Sequence, residues 1–265
     1  MMRTAEALIA RLARASARGR TLALFFDFDG TLSPIVAHPR IARFPAVTRR
    51  TLRALSRLPG VVVGIVSGRR LADLRAKVRL PGILLAGCSG LEMGLRGAAP
   101  RPSPGSRSRR ILADATAALV GLAKGFPGAW IERKLFGVSL HYRRVTPRRR
   151  SSILRLARRI LAAHRRGLLV SEGPLAQEAY LDLGADKGTA VREFLRAVGT
   201  RPFVLFAGDS GNDDAAFREV QRLRGIPIVV GPLPIASHFR LRDPAALGAF
   251  LSLLFRALRA RGRAA

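Results

Sequence analysis

LFFDFDGTLSPIV, residues 24–36, decides how the rest of this chain is read. The run LALFF (22–26) is short, wholly apolar and followed at once by Asp27, Phe28, Asp29 and Gly30. A run of that length and character suits a strand buried on both faces. Two carboxylates at its end then need a reason, because an uncompensated buried charge is expensive. Either the strand ends at the surface and these are ordinary loop aspartates, or the pair holds a cation.

Working outward, the same pattern repeats. Strands are predicted at 61–66 (VVVGIV) and 83–87 (ILLAG), with helices at 46–58 and 70–78 between them. Short apolar strands separated by amphipathic helices imply a parallel sheet covered on both sides. Residues 96–110 (RGAAPRPSPGSRSRR) read as a linker rich in Pro, Gly, Ser and Arg. The pattern then becomes helix-strand-strand twice: a helix at about 109–124, strands at 129–134 and 137–143, a helix at 147–164, and strands at 168–172 and 176–183. That order suits a small sheet with helices on one face. From Asp186 the first alternation resumes, with a helix at 186–198, a strand at 203–208, a helix from about Asp213, a strand at 226–230 and a last helix at 244–260. The fold class is therefore α/β, a parallel-sheet core (1–94 and 184–265) interrupted by a smaller α+β unit (95–183, order αββαββ). A cleft between such units is where a ligand is expected.

Composition limits the function classes. The chain has 265 residues, 48% of them hydrophobic, enough for real cores. A single cysteine, Cys88, leaves no internal disulfide and fits a reducing, cytoplasmic compartment. No apolar run approaches a membrane span. The Arg-rich N-terminus resembles a transit peptide, but the spacing of Ala7, Leu8, Leu12 and Ala15 fits an amphipathic first helix better. The net charge is +30, from 43 arginines and only four lysines (77, 124, 134, 187) against 17 acids. Such a protein binds polyanions without specificity. The arginines are spread along the chain, aromatics are only 6%, and no zinc-finger or RNA-recognition spacing occurs, so no specific nucleic-acid partner is expected.

In a parallel sheet, functional groups gather at the carboxyl ends of the strands. Four polar clusters fall there: Asp27 and Asp29; Ser67, Gly68 and Arg69; Lys187 at a helix start; and Asp209 with Asp213 in GDSGNDDAAF (208–217). Singly, each has a bland reading. An aspartate after a strand is often a helix cap, and a helical lysine usually snorkels. Together they form a set with a common chemistry. Hard carboxylate oxygens suit Mg²⁺. One carboxylate can attack phosphorus, a second can shuttle the proton, a seryl hydroxyl with its amides can hold a phosphoryl oxygen, and a lysine can neutralise both reactants.

DFDGTL (27–32), SGR (67–69), DKG (186–188) and GDSGNDDAAF resemble the four motifs of the haloacid-dehalogenase-like (HAD) phosphohydrolases. The resemblance implies a Rossmann-like core with a cap inserted between the second and third motifs. It also implies Asp27 as nucleophile, Asp29 as acid/base, and Mg²⁺ on Asp27, Asp29 and Asp209 with Asp213 nearby. Within that superfamily the chain is similar to the trehalose-6-phosphate phosphatases. The similarity rests on DFDGTLSPIVAHPRIA, IVSGRRLADL, LLAGCSGLEM, the cap signature WIERKLFGVSLHYRRV (130–145) and HFRLRDPAALGAFLSLL. It implies trehalose 6-phosphate as the substrate, cleaved to trehalose and phosphate through an aspartyl-phosphate, and sugar-contacting roles for Glu132, Lys134, Arg143 and Glu178. Strand alternation supports a polar cap face, placing Glu132 with Lys134 and His141 with Arg143. A surface cross-strand ion pair is the bland alternative. Gly68, Arg69 and Gly90 complete the substrate-binding set, and the protein is expected to be a monomer.

The chain departs from that family at several points. Ser210 stands where a second Asp is common, Asn212 replaces Thr, Tyr180-Leu181 replaces Arg-Pro, Ala185 replaces a bulky residue and Ser89 replaces His. These leave open another sugar phosphate (sucrose 6-phosphate, or a glucosyl- or mannosyl-3-phosphoglycerate). A non-catalytic, polyanion-binding relative is the alternative from a different class.

Overall fold

The computed structural model describes residues 5–36, 38–95, 104–173, 175–199, 201–232 and 239–261. Two compact units result: Met1–Ala98 with Asp186–Asp209 and Asp213–Ala265, and Ala99–Ala185 with Ser210–Asn212.

The first unit begins α1 (Ala5–Ala17), β1 (Leu22–Phe26), α2 (Ala46–Leu55), β2 (Val61–Val66), α3 (Leu71–Val78), β3 (Leu84–Gly87) and β4 (Glu92–Met93). The second unit is α4 (Ser106–Lys124), β5 (Trp130–Arg133), β6 (Gly137–His141), α5 (Pro147–Ala163), β7 (Leu168–Gly173) and β8 (Ala176–Leu181). The first unit resumes with α6 (Lys187–Val198), β9 (Phe203–Gly208), α7 (Asp214–Arg222), β10 (Ile226–Val230), β11 (Arg240–Leu241) and α8 (Pro244–Arg261).

The first unit's sheet has the order β11-β10-β9-β1-β2-β3-β4. It is parallel except for β4, which runs antiparallel to β3. β1 is buried on both faces, and its alternation sorts the two layers. Leu22, Leu24 and Phe26 pack with Leu8 and Leu12 of α1, Leu52 and Leu55 of α2, and Leu251 and Leu254 of α8. Ala23 and Phe25 pack with Val191 and Phe194 of α6 and Phe217 of α7. Truncating Phe25, whose ring lies 5.3 Å from that of Phe194, would cost about 3–5 kcal/mol. In register, Phe26 lies beside Ile65 of β2 and Ala207 of β9. The chain order reverses on either side of β1. Residues following these three strands therefore emerge together at the sheet's switch point.

The second unit is a four-stranded antiparallel sheet, β5-β6-β8-β7. Val138, Leu140, Ala179 and Leu181 point into a core with Ala115 and Leu119 of α4 and Ile153, Ala157 and Leu161 of α5. Side chains of the alternate residues occupy the other face. There Glu132, Ser139, Glu178 and Ser171 stand opposite one another in a row across all four strands. The chain is thus an α/β core with a parallel sheet and an inserted αββαββ cap.

Several expectations change in detail. The linker expected at 96–110 is cut short: residues 106–110 form the first turn and more of α4, which starts after Gly105. No Pro or Gly follows Gly105 there, and arginine is a good helix former. Residues 96–103 lie outside the described residues. β5 stops at Arg133 and β6 at His141, so Lys134 and Arg143 follow strands rather than belonging to them. Lys134 keeps its register because its N–H donates to the Gly137 carbonyl at 2.9 Å. The two-residue edge strands β4 and β11 were not anticipated, being too short to show a period. A 3₁₀ turn at Gly211–Asp213 precedes α7.

Candidate active site

Asp27 follows β1 directly, its N–H donating to the Ala207 carbonyl of β9 at 2.9 Å. The chain then turns away at Gly30, with φ +81. A Cβ at Gly30 would lie 2.0 Å from Asp209 Oδ2, so only glycine lets this turn pass the carboxylate that follows β9. Thr31 Oγ1 donates to Asp209 Oδ1 at 3.0 Å. Asp209 N–H in turn donates to Asp213 Oδ2 at 3.0 Å. Lys187 opens α6, whose capping box is made by Asp186 and Thr189. It does not snorkel: its side chain is 1% exposed, and Nζ lies 2.8 Å from Asp27 Oδ1 and 2.7 Å from Asp213 Oδ1.

Asp27, Asp209 and Asp213 can each offer an oxygen within 4.8 Å of the others. Lys187 answers only part of that charge. Burial pushes the Asp27 carboxyl up to about 7; Lys187 opposes this, while Asp213 and Asp29 add to it. Asp209 is likewise raised, by burial and then by Asp27 and Asp213. Burial would lower Lys187, but Asp213 and Asp27 outweigh it and raise it. The donors are all hard oxygens and carry an excess of negative charge, a chemistry that fits a divalent cation.

Asp29, expected among the metal-binding carboxylates, stands outside this group of three. Both its oxygens are taken by Arg69 from the loop after β2: Nε donates to Oδ2 and Nη2 to Oδ1, each at 2.7 Å. Arg69 also donates to Asp73 Oδ2 and the Pro39 carbonyl, each at 2.7 Å, and lies over the Phe28 ring. Two of its four side-chain hydrogen bonds thus orient Asp29, and the other two anchor the guanidinium itself. Ser67 is buried, and its Oγ accepts from the Arg69 N–H at 3.2 Å. Gly68 lies between them, and Gly90 is buried with φ +101.

In the second unit, Lys134 Nζ donates to Glu178 Oε1 at 2.7 Å and to the Tyr180 hydroxyl at 2.5 Å. Ser139 Oγ donates to Glu178 Oε1 at 2.9 Å, and Tyr180 OH to Oε2 at 3.1 Å. Burial would raise Glu178, but Lys134 and these hydrogen bonds overcome it and hold the carboxyl down at about 2. Beside them, Glu132 Oε2 lies 3.0 Å from His141 Nε2. The imidazole stacks on Trp130 with centroids 3.9 Å apart. Glu132 is also lowered: its hydrogen bond to His141 and the charge of Lys134 outweigh burial. Arg143 lies beyond this row; its carbonyl accepts from Arg150 Nη2 at 2.7 Å.

With this geometry in hand, the family model for trehalose-phosphatase matches residues 25–244. The chain belongs to the trehalose-phosphatase family. It is 35% identical over 251 residues to a trehalose-phosphate phosphatase of Mycobacterium tuberculosis, covering 91% of this chain and 63% of that protein. It is equally similar, 35% over 248 residues, to an uncharacterized glycosyl hydrolase of the same organism, covering 89% of this chain and 18% of that protein. The chain thus spans less than two thirds of the length of either relative. The solved C-terminal domain of Candida albicans trehalose-6-phosphate phosphatase shares the fold, with a TM-score of 0.81 at 22% identity over 94% of this chain and 96% of that one.

As a member of the trehalose-phosphatase family, and with it the HAD superfamily, the chain contains residues that sequence reasoning does not single out. Thr31 bonds Asp209 across 178 positions, a contact no local pattern reveals. Trp130 reads as one more apolar residue at the start of β5 until the register sets it against His141. Tyr180 entered only as a departure from the family, yet its hydroxyl links Lys134 to Glu178. Among the departures in the third loop, Ser210 Oγ donates to Asn212 Oδ1 at 2.8 Å.

Proposed function

We propose that the chain hydrolyses trehalose 6-phosphate to trehalose and inorganic phosphate, with Mg²⁺ and an aspartyl-phosphate intermediate. The observation that carries this reading is the buried Asp27, in contact with Lys187 and grouped with Asp209 and Asp213, at the carboxyl end of the central parallel strand. Asp27, Asp209 and Asp213 would hold Mg²⁺, which when bound supplies charge neutralisation for carboxylate and phosphate alike.

An Asp27 oxygen attacks phosphorus and the bond from phosphorus to the sugar oxygen breaks. Asp29 gives its proton to the departing alkoxide. Water then attacks the aspartyl-phosphate, passing a proton to Asp29 and releasing phosphate and the Asp27 carboxylate. Lys187 stabilises Asp27 and the charge that spreads over the phosphoryl oxygens, and Ser67 offers its hydroxyl to one of them.

The cap residues Glu132, Lys134, His141, Arg143 and Glu178 select the sugar. Among the described residues no helix is long and apolar enough to cross a membrane, and the one cysteine, Cys88, is buried and forms no disulfide. Our reading is of a cytoplasmic monomer acting on a small-molecule sugar phosphate, as the family membership suggests.

The test is phosphate release from trehalose 6-phosphate, sucrose 6-phosphate, glucosyl- and mannosyl-3-phosphoglycerate, glucose 6-phosphate and p-nitrophenyl phosphate. Trehalose 6-phosphate should lead in kcat/KM by about 10²-fold, the value of one or two buried sugar hydrogen bonds. Glu132→Ala should erase that preference and spare p-nitrophenyl phosphate. A different winner would reassign the cap, and no turnover of any substrate would favour a non-catalytic relative.

A further inference from the structure

We infer that Glu92 is a positioning residue for catalysis: from the edge strand β4 its carboxylate clasps the start of α3 and so fixes the loop that presents Ser67 and Arg69. This rests on the phosphatase reading above.

Helix α3 begins immediately after that loop, and its N-cap residue, Arg70, makes no side-chain cap bond. Its first N–H groups therefore need acceptors from elsewhere. Glu92 Oε2 accepts the Leu71 N–H at 2.5 Å. A carboxylate there also meets the positive end of the helix, which makes the bond a strong one. Glu92 sits opposite Gly87 in the β3–β4 pairing. At Gly87 a Cβ would stand 2.3 Å from the Leu71 nitrogen, so the missing side chain is what lets the two segments touch.

Backbone bonds complete the clasp. Cys88 N–H donates to the Arg69 carbonyl at 2.6 Å, Ser89 N–H to the Ser67 carbonyl at 2.9 Å, and Ser67 N–H to the Ala86 carbonyl at 2.9 Å. The reversal that makes them possible has three successive positive φ values, 47 at Cys88, 54 at Ser89 and 101 at Gly90. Two of those residues are not glycine. Such a backbone persists only where its surroundings over-determine it, and Glu92 closes its far end. What the clasp holds is functional: Arg69 grips both oxygens of Asp29, and Ser67 sits at the end of β2. Glu92 touches neither the carboxylate cluster nor Asp29, so its influence passes through the loop.

The experiment compares Glu92→Ala and Glu92→Gln in the full chain with Mg²⁺, well below the melting temperature. It uses p-nitrophenyl phosphate and trehalose 6-phosphate, with hydrogen exchange followed over residues 67–72. Glu92→Ala should lower kcat roughly 10- to 100-fold on both substrates, the scale of a misplacement of about 1 Å, and should speed exchange at Leu71. Glu92→Gln, which keeps an acceptor oxygen, should recover kcat to within about threefold and restore protection. If Glu92→Ala does not fold, Glu92→Asp replaces it, and the shortened reach should still lower kcat. Unchanged kcat in the alanine or aspartate variant, even with a lower melting temperature, would make Glu92 a purely structural cap and overturn the inference. Unchanged exchange at Leu71 would overturn it too. A wild type inactive on every phosphate ester would instead refute the phosphatase reading, while the exchange data still decide whether the clasp exists.

Discussion

Replacing Lys134 by Met should expose how the cap keeps a buried carboxylate charged. Lys134 and Glu178 side chains are each only 12% exposed and 2.7 Å apart. The hold on Glu178 takes its carboxyl from 4.5 to about 2. At about 1.4 kcal/mol per pKa unit, that shift corresponds to roughly 3 kcal/mol of stability. Because the folded-state pKa is depressed, this contribution is fully present above about 4.5 and is lost as pH falls toward about 2. In Lys134→Met the sign reverses. Glu178, buried and left with the neutral partners Ser139, Tyr180 and Asn212, is pushed above its unfolded value and destabilises the protein increasingly as pH rises from there. The variant should therefore lose roughly 3–5 kcal/mol at pH 7.5, the scale of breaking a buried pair, and clearly less at pH 4. Lys134→Met/Glu178→Gln, with no stranded charge, should recover much of the loss. Calorimetric unfolding of wild type and both variants at the two pH values measures this. A deficit of the same size at both, or a double variant no better than the single one, would show that Lys134 acts by packing and refute the electrostatic account.

Asp27→Asn should lower phosphate release by several orders of magnitude with an unchanged circular dichroism spectrum; near-wild-type turnover would remove Asp27 as the nucleophile. EDTA should abolish activity and added Mg²⁺ restore it, and Asp209→Asn should raise the Mg²⁺ concentration needed for half-maximal rate, read by metal titration of the assay. Binding to duplex DNA, driven by the net charge of +30, should be blind to sequence and vanish as salt rises to physiological strength. Tight binding that survives salt, joined to an inactive protein, would favour the polyanion-binding alternative.

Local period and composition encode the strands, the helices and the oddly placed charges of this chain. The five apolar residues of β1 are readable as a doubly buried strand because both periodic faces must be apolar when helices cover each side. The helix-strand-strand repeat of the cap is readable for the same reason, since α4 and α5 bury one stripe each against alternate residues of β6 and β8. The carboxylates at strand ends were visible as oddities that needed a cation or a partner. Which partner each took was decided only by the tertiary structure. Lys187 looks like any helical lysine until β1, α6 and α7 bring Asp27 and Asp213 to its ammonium across 160 and 26 positions. Asp29 looks equivalent to Asp27, but the loop after β2 delivers Arg69 to it and withdraws it from the cluster. Glu132, Ser139 and Glu178 form one row only because antiparallel register aligns three strands. Such contacts join residues far apart in the chain, and no pattern within a window of ten or twenty residues records them. Their energies, set by burial and by distances near 3 Å, exist only once the chain has closed.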